Sequence, residues 1–229
     1  SRYAEAEPPM RRGLEIRRRW RAEDAEEIAD SLNDLGVLEV ETGRLDDAEA
    51  DLQRALTIRR RVAGAEVPIT AVTLSNLVLV ANARGDFERG LREVGEVLAI
   101  RRRALGEDHP QTLRSLQTWA LALVRLGRLE EGVAGLRDVV GRMERVLGAD
   151  HPHRLNGLNS LASALQDLGD LEAAEPIYRR VLEGRQRLYP TANVDTAVSF
   201  NNLASLLEDR GRFAEAAQLS VAAARARCM

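Results

Sequence analysis

Lysine is absent from this chain, cysteine occurs once in 229 residues, and aromatic side chains make up only 3% of it. All 33 basic residues are therefore arginine, which we read as a composition bias of the kind a GC-rich bacterial genome imposes, not as a functional signal. The lone Cys228 has no intrachain partner, so a disulfide framework is excluded and nothing points to an oxidising compartment; the expected setting is cytoplasmic. No run approaches the roughly 18 to 20 apolar residues needed to cross a bilayer, and the arginine-rich stretch Ser1 to Trp20 has no signal-peptide core. Neither membrane insertion nor export is indicated. What remains, 45% hydrophobic and 30% charged residues with a net charge of −3, suits a helical protein with an extensive core.

Periodicity is what the chain has in abundance. Gly43, Gly85, Gly127, Gly169 and Gly211 stand 42 residues apart, each followed by Arg or Asp and then by Leu or Phe. A fixed period of this length is the mark of stacked supersecondary units. One unit reads as a helix over about 70–84, a turn at Gly85-Asp86, a second helix over about 87–105, and the loop Gly106-Glu107-Asp108-His109-Pro110. In the first helix Leu74, Leu77 and Val78 share one face by i, i+3, i+4 spacing, and the triad recurs as Leu32, Leu35, Gly36; Leu116, Trp119, Ala120; Leu158, Leu161, Ala162; and Phe200, Leu203, Ala204. In the second, Ala48, Gly90, Gly132, Ala174 and Ala216 are small, which marks where paired helices cross closely, as do the compact Ala55, Val97, Val139, Val181 and Ala223.

The punctuation agrees with this reading. Glycine closes the first helix in the left-handed conformation, Asp86 and Asp170 are placed to cap the helix that follows, and Pro68, Pro110 and Pro152 open helices where a missing N–H is harmless. Pro8, Pro9 and Pro176 fall inside helical patterns and should bend them, yet the register continues through them undisturbed.

The combination of Leu-x-x-Leu-Ala, Gly-Arg/Asp-Phe/Leu-x-x-Ala and Ala-Leu-x-Ile-Arg resembles the tetratricopeptide repeat, in the long 42-residue variety typified by kinesin light chain and by many bacterial multidomain proteins. Segments 2–8, 105–110 and 199–204 are close to that consensus, whereas 64–67 and 190–193 depart from its loop. The resemblance implies an all-α, right-handed α-solenoid of stacked antiparallel helix pairs. The expected organisation is a single array over 1–229: a leading second helix (1–24), four repeats (25–66, 67–108, 109–150, 151–192) and a fifth, truncated one (193–229). The opening on an unpaired second helix, with Tyr3, Met10, Leu14 and Ile16 as its apolar stripe, suggests a fragment of a longer protein. It also offers a route to self-association, and proteins of this variety resemble fusions to ATPase, kinase or protease-like enzymes.

By the family's geometry the first helices line a concave groove. Five strips map onto it: Asp30, Asn33, Val37, Val40, Glu41; Val72, Ser75, Leu79, Asn82, Ala83; Arg114, Gln117, Leu121, Val124, Arg125; Asn156, Asn159, Ser163, Gln166, Asp167; and Val198, Asn201, Ser205, Glu208, Asp209. The resemblance thus implies binding of a protein or peptide, with Val37, Leu79 and Leu121 as apolar anchors and Asn33, Asn159 and Asn201 as amides able to pair with backbone. The competing reading is that these residues merely pack neighbouring helices.

Arginine triplets recur at 17–19, 59–61 and 101–103. Stacked, they would form a ridge that nucleic acid could use through its phosphates. However, each lies in a helix's last turns, where positive charge suits the dipole, with acids close by and no aromatic platform for bases, so the solvated-face reading is preferred. His109, His151 and His153 sit in loops without a further ligand set, so no metal is expected. No serine has a histidine at fitting spacing and no glycine-rich loop cradles a phosphate, so neither a catalytic centre nor a cofactor is expected.

Overall fold

The computed structural model describes residues 2–189, 191 and 193–226, with side chains from Glu5 onward; Cys228 and the Tyr3 side chain lie outside that set. Among the described residues there are eleven helices and no strand. They are α1 (Arg2–Trp20), α2 (Glu26–Glu41), α3 (Leu45–Val62), α4 (Pro68–Ala83), α5 (Phe87–Leu105), α6 (Pro110–Arg125), α7 (Leu129–Leu147), α8 (Pro152–Asp167), α9 (Leu171–Leu188), α10 (Val194–Asp209) and α11 (Phe213–Arg225). None is long and apolar enough to cross a membrane.

Each expected turn is built the same way. At Gly85 φ is +75°, a conformation that costs glycine nothing and a side chain a clash, and the chain reverses so that Asp86 N–H donates to the Ala81 carbonyl at 2.9 Å. The same bond closes α2, α6, α8 and α10 through Arg44, Arg128, Asp170 and Arg212. The Asp86 and Asp170 carboxylates then accept from Arg89 and Ala173 N–H, both at 3.1 Å, which caps α5 and α9 as expected. The loop histidines also act as caps: His109 Nδ1 accepts from Gln111 N–H and His151 Nδ1 from His153 N–H. Helices α1 and α9 run through Pro8, Pro9 and Pro176 without interruption.

The chain divides into two compact units, Ser1–Ser115 and Leu116–Met229, with the division inside α6. In the first, α2 pairs with α3 and α4 with α5, α3 stacks on α4, α2 touches α4, and α1 lies on α2. Two apolar clusters hold it: Leu14, Ile28, Leu32, Leu35, Ala55 and Ile58 at the α1–α2–α3 junction, and Leu52, Leu56, Leu74, Leu77, Val97 and Ile100 from α3 to α5. In the second unit α8 pairs with α9 and α10 with α11, α7 stacks on α8 and α9 on α10, and α8 touches α10. Its core includes Leu136, Met143, Leu155, Leu165, Tyr178, Val181 and Leu206.

One expectation is corrected here. The α1 stripe proposed for self-association is largely spent within the chain: Leu14 is buried, and Met10 packs beside it against α2 and α3. Among the described residues of the stripe Ile16 remains open, with Trp20 one turn on. Burial of Leu14 removes more apolar surface from water than a stripe left facing solvent could, so α1 docks on its own neighbour.

Candidate functional site

The expected groove residues sort into three groups by what their helices do with them. Residues 40, 82, 124 and 166 share a register that faces the helix's own partner. Val40 packs on the α3–α5 cluster, and a Cβ placed on Gly90 would stand 2.9 Å from Asn82 Oδ1. A Cβ on Gly132 would likewise stand 2.5 Å from Val124 Cγ2, while Gln166 accepts from the Tyr178 hydroxyl at 3.2 Å. These side chains set helix crossings.

A second group forms rungs between successive first helices. Asn76 Nδ2 donates to Asn33 Oδ1 at 2.9 Å, Gln117 Nε2 to Ser160 Oγ at 3.2 Å, Asn202 Nδ2 to Asn159 Oδ1 at 2.8 Å, and Gln166 Nε2 to Asp209 Oδ2. Asn33 is buried, and its oxygen also receives Arg59 Nη1 at 3.4 Å. Asn156 Oδ1 receives Arg185 Nη2 at 2.7 Å. Of the amide oxygens that the sequence offered as peptide clamps, those of Asn33 and Asn159 are thus engaged inside the stack, as is that of the groove residue Asn156. Ser75 is similarly turned inward, donating to the Ala71 carbonyl at 2.6 Å.

The third group stays open. Leu79 on α4 is 46% exposed with Val72 one face-repeat earlier at 36%, and Val37 on α2 is half-buried. These belong to the first unit. In the second, Leu121 and Asn201 are half-buried, and Arg125, Ser205 and Val198 are exposed. Leucine and valine left open at positions that share a helical face form the apolar surface of the first helices.

Sequence reasoning missed the arginines that the stack buries. The triplets are not uniformly solvated: Arg59 is buried and Arg101 half-buried, and Arg185 at the same register of α9 is buried too, each reaching a hydroxyl 14 residues on, at Thr73, Ser115 and Ser199. Burial pulls the Arg101 and Arg185 guanidinium groups below their ordinary pKa. The detectable signal was the hydroxyl at constant spacing, together with its loss at Gly157 where Met143 replaces the arginine.

The last arginine at the basic ends of α3, α5 and α9 is neutralised by the preceding loop. Arg61 pairs with Asp24, Arg103 with Glu66, and Arg187 with Asp150 at 2.8 Å, each pair 37 residues apart. At these three positions the positive charge is already paired within the chain and is not offered to phosphates. A cleft of about 500 Å³ lined by Glu23, Asp24, Arg54, Thr57, Ile58 and Arg61 is closed off electrostatically in the same manner, by the Arg54–Glu23 and Arg61–Asp24 pairs. Among the described residues no group of three or more His, Cys, Asp or Glu is placed to hold a metal ion.

Family models described as tetratricopeptide repeat match residues 28–67 and, in overlapping segments, 69–131, 116–187 and 153–227. No functionally curated protein matches the sequence. Among solved structures, BtubC (BKLC) from P. vanneervenii superposes with a TM-score of 0.81 at 18% identity, over 99% of this chain and 91% of that one. A kinesin light chain-like protein of Podosopora anserina with nearly identical TPR-like repeats gives 0.73 at 23% identity, over 88% and 96%. A Rap protein complexed with Competence and Sporulation Factor gives 0.70 at 12% identity, over 88% and 60%. At these identities the likeness shows the fold, an all-α array of sequential helix pairs.

Proposed function

Because the chain belongs to the tetratricopeptide repeat family, generally a protein–protein interaction module, we propose that it binds a peptide segment of a partner protein on the open faces of its first helices. The observation that carries this reading is Leu79. A leucine 46% exposed in the middle of a helix gains nothing for the fold by facing water, and it stands beside half-buried Val37 at the same register of the neighbouring first helix. Leu121 holds that register in the second unit. The Rap protein, of the same fold, is seen with a bound factor, which supports the use of such an array for recognition.

The buried amides alter the mechanism from the one the sequence suggested. Asn33 and Asn159 rigidify the wall and do not clamp the guest, while the half-buried Asn201 and exposed Ser205 are the polar groups offered to a ligand in the second unit. Preorganised walls of this kind bind with little ordering cost.

The test is a display selection of random dodecapeptides against the intact protein, with Leu79→Asp and Leu121→Asp assayed singly. Leu79→Asp, on an exposed face, should leave helicity and melting unchanged within about 0.5 kcal/mol, and the half-buried Leu121→Asp should keep helicity while lowering the melting point. Leu79→Asp should weaken selected binders of the first unit at least about tenfold, since it removes an apolar anchor and opposes it with a charge. Binding indifferent to both substitutions would refute the proposal.

A further inference from the structure

Helix α1 is held from one side. It lies on α2, whereas α2 is gripped by α3 and α4 as well. Its own sequence forms a helix poorly: Pro8 and Pro9 each remove a backbone donor inside it, and Gly13 lowers its propensity although a Cβ there would meet nothing within 4 Å. Such a helix persists because it is docked. Besides the apolar contacts of Leu14 and Met10, what docks it is a charged cluster around Glu39, a fully buried carboxyl at a position that is apolar in the later repeats. To that cluster α1 brings Arg11 and Glu7, the turn after α2 brings Arg44, and α3 brings Asp47 and Asp51, while α4 carries no charged residue. Arg18 and Arg54 act on Asp51. The two arginines that reach Glu39 are already engaged by Glu7, whose Oε1 accepts from Arg11 Nε at 2.8 Å and whose Oε2 accepts from Arg44 Nη1 at 2.7 Å. Glu39 is left with one bond, from Arg11 Nη2 at 2.6 Å; Arg44 Nη2 stands off at 3.9 Å, and Glu39 Oε2 has no partner. Glu93 also has an oxygen without a partner, but its side chain is 16% exposed, and water can serve it. An ionised Glu39 is dry, half-satisfied and outnumbered by like charges, which makes the protonated form the one the docked helix tolerates.

We propose that Glu39 is a proton-operated latch for α1: protonated, it lets the helix stay docked on α2, and ionised, it drives the helix off and uncovers the α2 surface beneath Leu14 and Met10. Burial, and next the charge of Asp51, raise the pKa of the docked carboxyl to about 7, and departure of α1 returns it to water and to the ordinary 4.5. The docked state therefore binds the proton more tightly. Docking is complete below pH 4.5 and is lost progressively as pH rises through 7. It is α1 that yields, because opening it solvates Glu39 while the packing of α2 on α3 and α4 stays intact. The departing helix also keeps an internal pair, Glu7 with Arg11. None of this depends on a peptide at Leu79.

Hydrogen exchange on the intact protein reads α1 separately from its neighbours, and protection factors divide out the intrinsic exchange rate at each pH. Between about pH 5 and about pH 8, protection from Met10 to Ile16 should fall at least about tenfold while α4 and α5 keep theirs. Glu39→Gln holds the side chain neutral at every pH, and Glu39→Leu copies the residue found at this position in three later repeats. In both variants α1 should stay protected at the higher pH. Gly13→Ala should raise α1 protection about fivefold at both pH values and leave their ratio unchanged, which separates the latch from the strength of the helix. Equal α1 protection at the two pH values in the wild type overturns the proposal, as does a ratio that survives both Glu39 variants. A loss of the same size from α2 to α5 overturns it too, because the carboxylate then weakens the whole unit and holds no latch.

Discussion

Glu39 occupies a register that the later repeats give to Ala81, Leu123, Leu165 and Leu207. It is fully buried where α1, α2 and α3 meet, held by Arg11 at 2.6 Å with Arg44 at 3.9 Å, and its Oε2 has no partner. Burial first, and then the charges of Asp51 and Asp47 against those of Arg11 and Arg44, push its pKa from the ordinary 4.5 up to about 7. A pKa raised by folding means that the folded state prefers the protonated form. The stability contributed by this residue is therefore complete below pH 4.5 and is lost progressively as pH rises through 7. Replacing Glu39 with Leu should stabilise the protein at pH 8 by about 1 to 4 kcal/mol, with Arg11 retaining Glu7 as a partner. The gain should shrink as pH falls to 5, and thermal melts at the two pH values measure it; a gain independent of pH would show that the buried charge is not its source. Glu175 shows the opposite balance. Burial raises its pKa, but hydrogen bonds from Arg179 and Arg212 overcome that and lower it, so its contribution is lost only as pH falls through the acidic range.

At the scale of the element, α6 and α7 cross closely at Gly132 in the second unit. A Cβ there would stand 2.5 Å from Val124 Cγ2 and 3.0 Å from the Ala120 carbonyl oxygen; the valine could turn, but the backbone oxygen cannot retreat cheaply. Gly132→Ala, which would gain about 1 kcal/mol of helix propensity in open surroundings, should instead cost about 1 to 3 kcal/mol. Chemical denaturation would register this as a lower midpoint, and a stabilised variant would mean that the two helices can separate freely. That crossing was legible in the sequence because small residues recur there at Ala48, Gly90, Gly132, Ala174 and Ala216, and the helix limits were legible because glycine and proline mark them at a fixed period. The roles of the polar residues were not. An asparagine that ladders to the next helix, such as Asn33, and one that faces a ligand have the same side chain at the same spacing. Which of them is engaged depends on Asn76, 43 residues away on the next first helix. Likewise only one arginine of 59–61 is buried, selected by Thr73 in the following helix and by nothing in the triplet itself.

At the scale of the whole molecule, every helix contact within a unit joins elements adjacent or next but one in the chain, from α1 on α2 to α2 on α4, and from α7 on α8 to α8 on α10. Stability in such a chain is close to a sum of pair terms and nearest-neighbour interfaces, so damage should fade with distance along the stack and not spread cooperatively. Leu32 tests this, since it is fully buried in the α1–α2–α3 cluster and its truncation to alanine should cost about 2 to 5 kcal/mol locally. Hydrogen exchange on Leu32→Ala should show the largest loss of protection in α1, α2 and α3, a smaller one in α4, which touches α2 directly, and the least in α5, which reaches α2 only through α3 and α4. Equal losses from α1 to α5 would mean that the first unit unfolds as a single cooperative body. A graded loss also fits the proposed use of the array: a guest seated over Leu79 should restore protection in α4 and its immediate neighbours first, because binding free energy enters the same nearest-neighbour chain at that point.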